Sequence, residues 1–151
     1  FKHLDMDVVA GQHNPNLRVL RERVSRMPLA RLRVQVSDMA QLMAGCDLFI
    51  GAAGSTSWER LCLGLPSIVT TIAENQEGIA RELHRRSLAT WSGRSSELSQ
   101  TAIEDALASV SVDSDLYKAA RVSMALVDGR GAQRVADAMT SRLSALMGNS
   151  S

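Results

Sequence analysis

The sequence predicts an α/β fold, a Rossmann-like parallel sheet in a three-layer α/β/α arrangement, on three observations. Short apolar, β-branched runs alternate with segments whose apolar residues recur at helical spacing. The connections are short, about three to six residues, so successive strands run parallel and the helices cross back over the sheet. Small or polar loops follow the strands, and in such sheets that edge receives ligands.

Residues 6–10 form the first expected strand, followed by a Gly-Gln-His-Asn-Pro-Asn turn. Asn14 is read as the N-cap of the first helix and Pro15 as its first residue, with Leu17, Leu20 and Val24 on one face. Residues 32–36 alternate as a second strand, and Ser37-Asp38 caps a helix reaching about Gly45. A third strand is expected over 48–51 and a short helix over 56–64. Pro66 cannot continue that helix and opens a fourth strand, 67–72. A helix over about 75–86 and a strand over 88–91 complete the alternation. Beyond it, helical periodicity runs over 98–110, 115–127 and 132–146, broken by Asp128-Gly129-Arg130-Gly131.

With 151 residues the chain suffices for one domain, expected over 1–147 with a frayed tail at 148–151. Its hydrophobic content of 45% against 22% charged residues suits a water-soluble globular protein, expected in the cytoplasm. A net charge of +1 gives no field that would favour nucleic acid or an anionic membrane. No apolar run approaches the roughly 20 residues a membrane span needs. Cys46 and Cys62 stand apart among apolar neighbours and are expected as buried free thiols; no metal-ligand spacing is evident. The start at Phe1 suggests a piece of a longer protein.

The run Gly51-Ala52-Ala53-Gly54-Ser55-Thr56-Ser57-Trp58-Glu59-Arg60 carries the most chemistry. A strand, a small-residue turn and a helix start present free N–H groups to an anion such as phosphate. Glu59 follows Ser55 by about one turn, where a carboxylate can accept from sugar hydroxyls. Thr56 and Glu59 also have capping-box spacing, which would occupy that carboxylate, and the small residues could serve only a tight turn. The turns at 11–16, 37–38, 51–56 and 73–76 are all expected along the ligand-binding edge.

Taken in order, Gly11-x-x-Asn14-Pro15-Asn16, Ser37-Asp38-Met39, the Gly51–Arg60 run, Gly64-Leu-Pro-Ser67, Glu74-Asn75-Gln76 and Asp128-Gly-Arg-Gly-Ala132-x-Arg134-Val resemble one family. It is the UDP-2,4-diacetamido-2,4,6-trideoxy-β-L-altropyranose hydrolase of pseudaminic acid biosynthesis, and the chain is similar to its C-terminal half. A wider similarity reaches the C-terminal domain of the lipid II-forming N-acetylglucosaminyltransferases, which share the two-lobed GT-B architecture. The resemblance implies a C-terminal lobe that binds the UDP part of a UDP-sugar, with no cofactor. By it, Gly54, Ser55 and Thr56 would face the diphosphate and Glu59 the ribose. Val36 and Met39 would flank the uracil, Asn75 and Gln76 would reach the sugar or its phosphate, and Gly11 and Asn14 would lie on the substrate edge. The family's reaction is water attack at the anomeric carbon, with its base, a histidine, in an N-terminal lobe not represented here. The alternatives are the donor-binding domain of a glycosyltransferase using a UDP-hexosamine, and a non-catalytic nucleotide-binding module. Relatives carry glycines where this chain has Ala52 and Ala53, which would set methyls against the phosphate.

Other residues have plain readings. Asn14-Pro15-Asn16 could be only a helix cap, and His13 a solvent-facing loop residue. Trp58, Trp91, Met39 and Met43 are expected to pack, and Arg85-Arg86 to form a solvated helix end. Asp128–Gly131 is expected as a helix–helix turn, with Arg130 or Arg134 able to reach a second lobe.

Overall fold

The computed structural model describes residues 4–110 and 115–148. Its class is the expected one, parallel sheets flanked by helices, and the strands pair as two sheets of order β1-β2 and β3-β4-β5. The chain divides into two compact units, Phe1–Gln41 and Leu42–Ser151.

In the first unit, β1 (Met6–Ala10) and β2 (Ala30–Val34) pair in parallel from Met6↔Ala30 to Ala10↔Val34, with α1 (Leu17–Val24) between them in sequence. Ala10 and Val24 are buried and Leu17 and Leu20 half-buried, so the expected apolar stripe does face inward. Two boundaries differ from expectation. The first helix starts at Leu17 with Asn16 as its N-cap, because Asn14 Oδ1 accepts the Asn16 N–H at 2.8 Å and holds Asn14 and Pro15 in a turn ahead of the helix. Strand β2 lies two residues early and ends at Val34, since Gln35 takes a left-handed φ of 56°. Val36 therefore sits in the loop before α2 (Met39–Ala44), whose entry Asp38 caps by accepting the Gln41 N–H at 2.8 Å.

The second unit holds β3 (Phe49–Ala52), β4 (Ser67–Thr71) and β5 (Thr90–Arg94), all parallel. The central β4 carries the buried residues Ser67, Ile68, Val69 and Thr71. Helix α3 (Thr56–Leu63) ends at Gly64, whose left-handed φ of 65° lets the Leu65 N–H bond to Arg60 O at 2.9 Å. A Cβ at Gly64 would come within 3.1 Å of Ala120 O and Met124 Cγ, both on α6 (Asp115–Leu126), which packs on α3. A 3-10 turn, Glu74–Gln76, leads into α4 (Glu77–Arg85), so Asn75 and Gln76 stand in that turn rather than at the start of an α-helix. Ala53, Val69 and Ala80 form one core cluster against Trp91 and Ala89; Leu61, Leu83 and Leu88 form another with Ile79 and Val127.

The expected strand over 88–91 is displaced to Thr90–Arg94. Ser87 adopts φ 56°, the Leu88 N–H caps α4 at Leu83 O, and Leu88 serves as a buried plug rather than a strand residue. Helix α5 (Gln100–Ser109) is capped by Ser99 Oγ, which accepts the Ala102 N–H at 3.1 Å. Helix α7 (Gly131–Gly148) includes Gly148, expected in the tail; residues 149–151 lie outside the described residues. Before α7, Asp128 accepts from the Arg130 N–H and from both terminal nitrogens of Arg134, so Arg134 is engaged within the turn. Gly129 fits there at φ 72°, where a Cβ would approach Cys62 Sγ to 3.1 Å. Cys46 and Cys62 are free thiols, half-buried rather than buried. No described helix is long and apolar enough to cross a membrane.

Candidate functional site

Strand β3 delivers the chain into the turn Ala53–Ser55 and then α3. The Ala53 N–H still bonds to Thr70 O at 2.9 Å, as if extending the ladder to β4. The next backbone donors with internal acceptors are Ser57, to Gly54 O at 3.0 Å, and Trp58, to Ser55 O at 3.2 Å. Between them the N–H groups of Gly54, Ser55 and Thr56 have no acceptor among the described residues. Three consecutive unpaired amides at a helix start are the kind of donors that can receive an anion.

The small residues of this turn divide their labour. At Gly51 a Cβ would stand 2.7 Å from Phe49 Cζ, so the glycine lets the Phe49 ring fold back over its own strand. Ala53 is fully buried, and its methyl belongs to the core with Val69 and Ala80. The expectation that Ala53 would set a methyl against a ligand is thus corrected. Gly54 faces open space except for Gln76 Nε2, 3.8 Å from where its Cβ would be. Gln76 is tied down as its Oε1 accepts the Ile72 N–H at 3.0 Å, so the 3-10 turn after β4 stands beside the Gly54 turn. Asn75, in that same turn, is exposed.

Glu59 is exposed and has no hydrogen-bond or ion-pair partner among the described residues. The capping-box alternative does not form: the N-cap is Ser55 rather than Thr56, and no side chain caps the helix. Trp58 is 49% exposed, against the expectation that it packs, whereas Trp91 lies against the core and its Nε1 donates to Gly93 O at 3.1 Å. Met43 is buried and Met39 half-buried.

Sequence reasoning gave no role of its own to Arg60, the largest fully buried side chain. It lies beneath the turn, 2% exposed, with Nη2 donating to Ser57 Oγ at 2.8 Å and Nη1 to Thr56 Oγ1 at 3.1 Å. Nη1 also approaches Ala52 O at 3.4 Å, and Cζ sits 4.2 Å from the centroid of the Phe49 ring. Its Nε is buried without an acceptor, and no carboxylate pairs with the guanidinium among the described residues. Burial lowers its pKa to about 10, with the nearby Glu59 charge opposing the fall. It remains a cation at neutral pH. The readable signal was its spacing, three residues after Ser57 and four after Thr56.

The other expected site residues belong to the first unit. Gly11 is exposed and its carbonyl accepts the Asn14 N–H at 3.1 Å. Gly11 and Asn14 follow β1, and Val36 and Met39 follow β2; because the strands are parallel, these four stand at the same end of that sheet. His13 is exposed, with a ring nitrogen 2.9 Å from Gln12 Nε2. In the second unit, a cavity of about 410 Å³ opens at the opposite end of the sheet, where Pro66-Ser67 and Ala89-Thr90 begin β4 and β5. No three His, Cys, Asp or Glu side chains are grouped for a metal ion among the described residues.

No family model matches the chain. It is similar to the spore coat polysaccharide biosynthesis protein SpsG of Bacillus subtilis, 32% identical over 81 residues, covering 54% of this chain and 24% of that protein. Among solved structures it is similar to the glycotransferase of kitacinnamycin, with a TM-score of 0.70 and 14% identity, over 92% of this chain and 43% of that one. It is also similar to the glycosyltransferase SsfS6 of Streptomyces sp. SF2575, with a TM-score of 0.52 and 18% identity, over 82% of this chain and 36% of that one. The chain thus spans under half the length of each relative, and its fold is that of a GT-B-type glycosyltransferase domain.

Proposed function

We propose that this chain is the nucleotide-binding part of an enzyme that hydrolyses a UDP-sugar, releasing UDP and a free amino sugar. The observation that carries the reading is the run of three unpaired amides, Gly54 to Thr56, with an unpartnered Glu59 just beyond on the same helix. The amides suit the diphosphate, and the exposed carboxylate suits the ribose hydroxyls. Asn75 and Gln76, in the turn next to Gly54, are assigned to the sugar or its phosphate. Val36 and Met39 are assigned to the uracil, and Gly11 and Asn14 to the substrate edge.

The similarity to a polysaccharide biosynthesis protein supports sugar chemistry, and the glycosyltransferase-type fold supports a nucleotide donor. The general base is assigned to a second, N-terminal lobe. A stripe on α7, Val135, Met139 and Leu143, is 58–62% exposed and would suit cover by such a lobe. No cofactor is required, because water attack at an anomeric carbon needs only a base and a stabilised leaving group. A cytoplasmic setting follows from the availability of UDP-sugars there.

The test is product analysis of the full-length protein with UDP-linked amino sugars in ¹⁸O-water. Hydrolysis yields UDP and a reducing sugar labelled at its anomeric oxygen. Label-free transfer to an added acceptor would instead establish a glycosyltransferase, and no UDP binding at millimolar concentration would remove the nucleotide reading altogether.

A further inference from the structure

We infer that Arg60 is a positioning residue for anion binding: a buried guanidinium with no carboxylate in contact among the described residues, bonded to the first residues of the helix that follows the Gly54–Ser55 turn, that sets the turn's preference for a multiply charged phosphate ligand. The inference deepens the nucleotide-diphosphate reading and rests on it for the identity of the natural ligand, but not for the presence of an anion site.

Four observations lead there. Arg60 is 2% exposed, so its charge is held out of water. A buried cation is normally matched by a carboxylate in direct contact, and among the described residues none touches Arg60: Glu59 acts on it only through space, and its hydrogen bonds go to the neutral hydroxyls of Thr56 and Ser57 and the Ala52 carbonyl. Its Nε lacks any acceptor, the only buried side-chain polar atom without one among the described residues. Lastly, Thr56 and Ser57 open the helix at whose start the free amides lie, so the guanidinium is fastened to the first two residues of that helix.

A charge in that place acts through space and through the turn. A cation bonded to the hydroxyl of Thr56, whose amide is one of the three, adds to their positive potential, and the effect scales with ligand charge. A neutral nucleoside would gain nothing from it. The two hydroxyl bonds also fix Thr56 and Ser57, which keeps the amides of the turn aligned before ligand arrives. The Phe49 ring closes the underside, and only a glycine at 51 permits that ring to lie there.

The experiment compares Arg60→Gln, which keeps a donor and loses the charge, with Arg60→Lys, which keeps the charge. Affinities for pyrophosphate, UDP, UMP and uridine are measured by calorimetry on each folded variant. Arg60→Gln should weaken pyrophosphate and UDP by tenfold or more, UMP less, and uridine less than twofold; Arg60→Lys should recover most of the loss. Equal losses for UDP and uridine would mean that Arg60 only holds the fold, and unchanged UDP affinity in Arg60→Gln would remove the inference outright. Should neither variant fold, the unsubstituted protein decides by NMR. The Arg60 Nε–Hε resonance should move on titration with pyrophosphate and not with uridine, and a stationary resonance overturns the proposal. Arg60-dependent binding of pyrophosphate without UDP binding would sustain this inference while sinking the nucleotide reading. Absence of binding to either would sink both.

Discussion

Replacing Glu59 with alanine separates the ribose role from hydrogen-bonded structural ones, because among the described residues the carboxylate makes no hydrogen bond or ion pair, and its through-space effect on Arg60 has a sign of its own. The stability cost is bounded by the helix dipole. A carboxylate in the first turn of α3 contributes about 0.3–1 kcal/mol, and no capping bond exists to be lost. The binding cost is larger. A hydrogen bond to a charged acceptor is worth about 1.5–3 kcal/mol, and since Glu59 is exposed to water before binding, the lower end applies. At about 1.4 kcal/mol per decade this is roughly a tenfold loss of UDP affinity. The discriminating ligand is 2′,3′-dideoxy-UDP, which keeps the diphosphate and loses the hydroxyls. Glu59 also lies close enough to Arg60 to raise its pKa, so its removal leaves the turn more positive. Dideoxy-UDP should therefore bind Glu59→Ala as well as it binds the parent, or slightly better. Calorimetry of both ligands on both proteins gives the cycle. Equal losses for the two ligands would refute the ribose assignment and show that Glu59 acts only on the helix start.

Two further outcomes concern stability. Gly64→Ala should cost about 2–5 kcal/mol in urea unfolding, combining about 1–2 for a left-handed alanine with about 1–3 for overpacking against Ala120 O and Met124; a loss under about 1 kcal/mol would show that α6 yields freely. In the first unit, Asp7 has its pKa lowered chiefly by its hydrogen bond to Arg33, with Arg31 adding and burial opposing. A carboxyl whose folded pKa is depressed stabilises fully above its unfolded value and less as pH falls through the folded one. Urea midpoints should therefore drop below about pH 4, and Asp7→Asn should flatten that acid limb; an unchanged limb would remove Asp7 from the account.

What the sequence made legible depended on whether a residue's neighbours in the chain determine its role. Residues 6–10 and 67–72 are short runs bounded by turn residues, and the strands form over Met6–Ala10 and Ser67–Thr71, the second one residue shorter than the pattern suggests. Leu88 and Ala89 looked like the start of a strand, but burial against Leu61 and Leu83 and a left-handed Ser87 draw Leu88 into the core instead. Asn14 had a capping residue's chemistry and used it on Asn16, the residue just before the helix. Asx turns and N-caps share the same donors, so local chemistry alone does not choose between them. The capping-box spacing at Thr56 and Glu59 failed because the helix starts one residue earlier than that motif needs. Arg60 was least legible. Helical periodicity assigns a charged residue to solvent by default, and only the third dimension brings Phe49, two strand residues before Gly51, against its guanidinium.

The distribution of charge in the second unit narrows the class of ligand further than either end of α3 does alone. Gly51 and Ala53 are accounted for by the Phe49 ring and by the core, so the part of the turn left for a ligand is Gly54 to Thr56. That part is positive, from three free amides and a buried cation that, among the described residues, no carboxylate contacts. Glu59, at the exposed end of the same first turn, is negative and unpartnered. A simple phosphate would satisfy the first feature and be repelled by the second. A simple sugar would use the second and leave the first unmatched. Both are satisfied by a ligand that carries phosphate charge at one point and hydroxyl donors about one helical turn, roughly 5 Å, away. A ribose 5′-diphosphate has that spacing of groups, which is why the ribose hydroxyls and the diphosphate have to be varied separately in any test of this site.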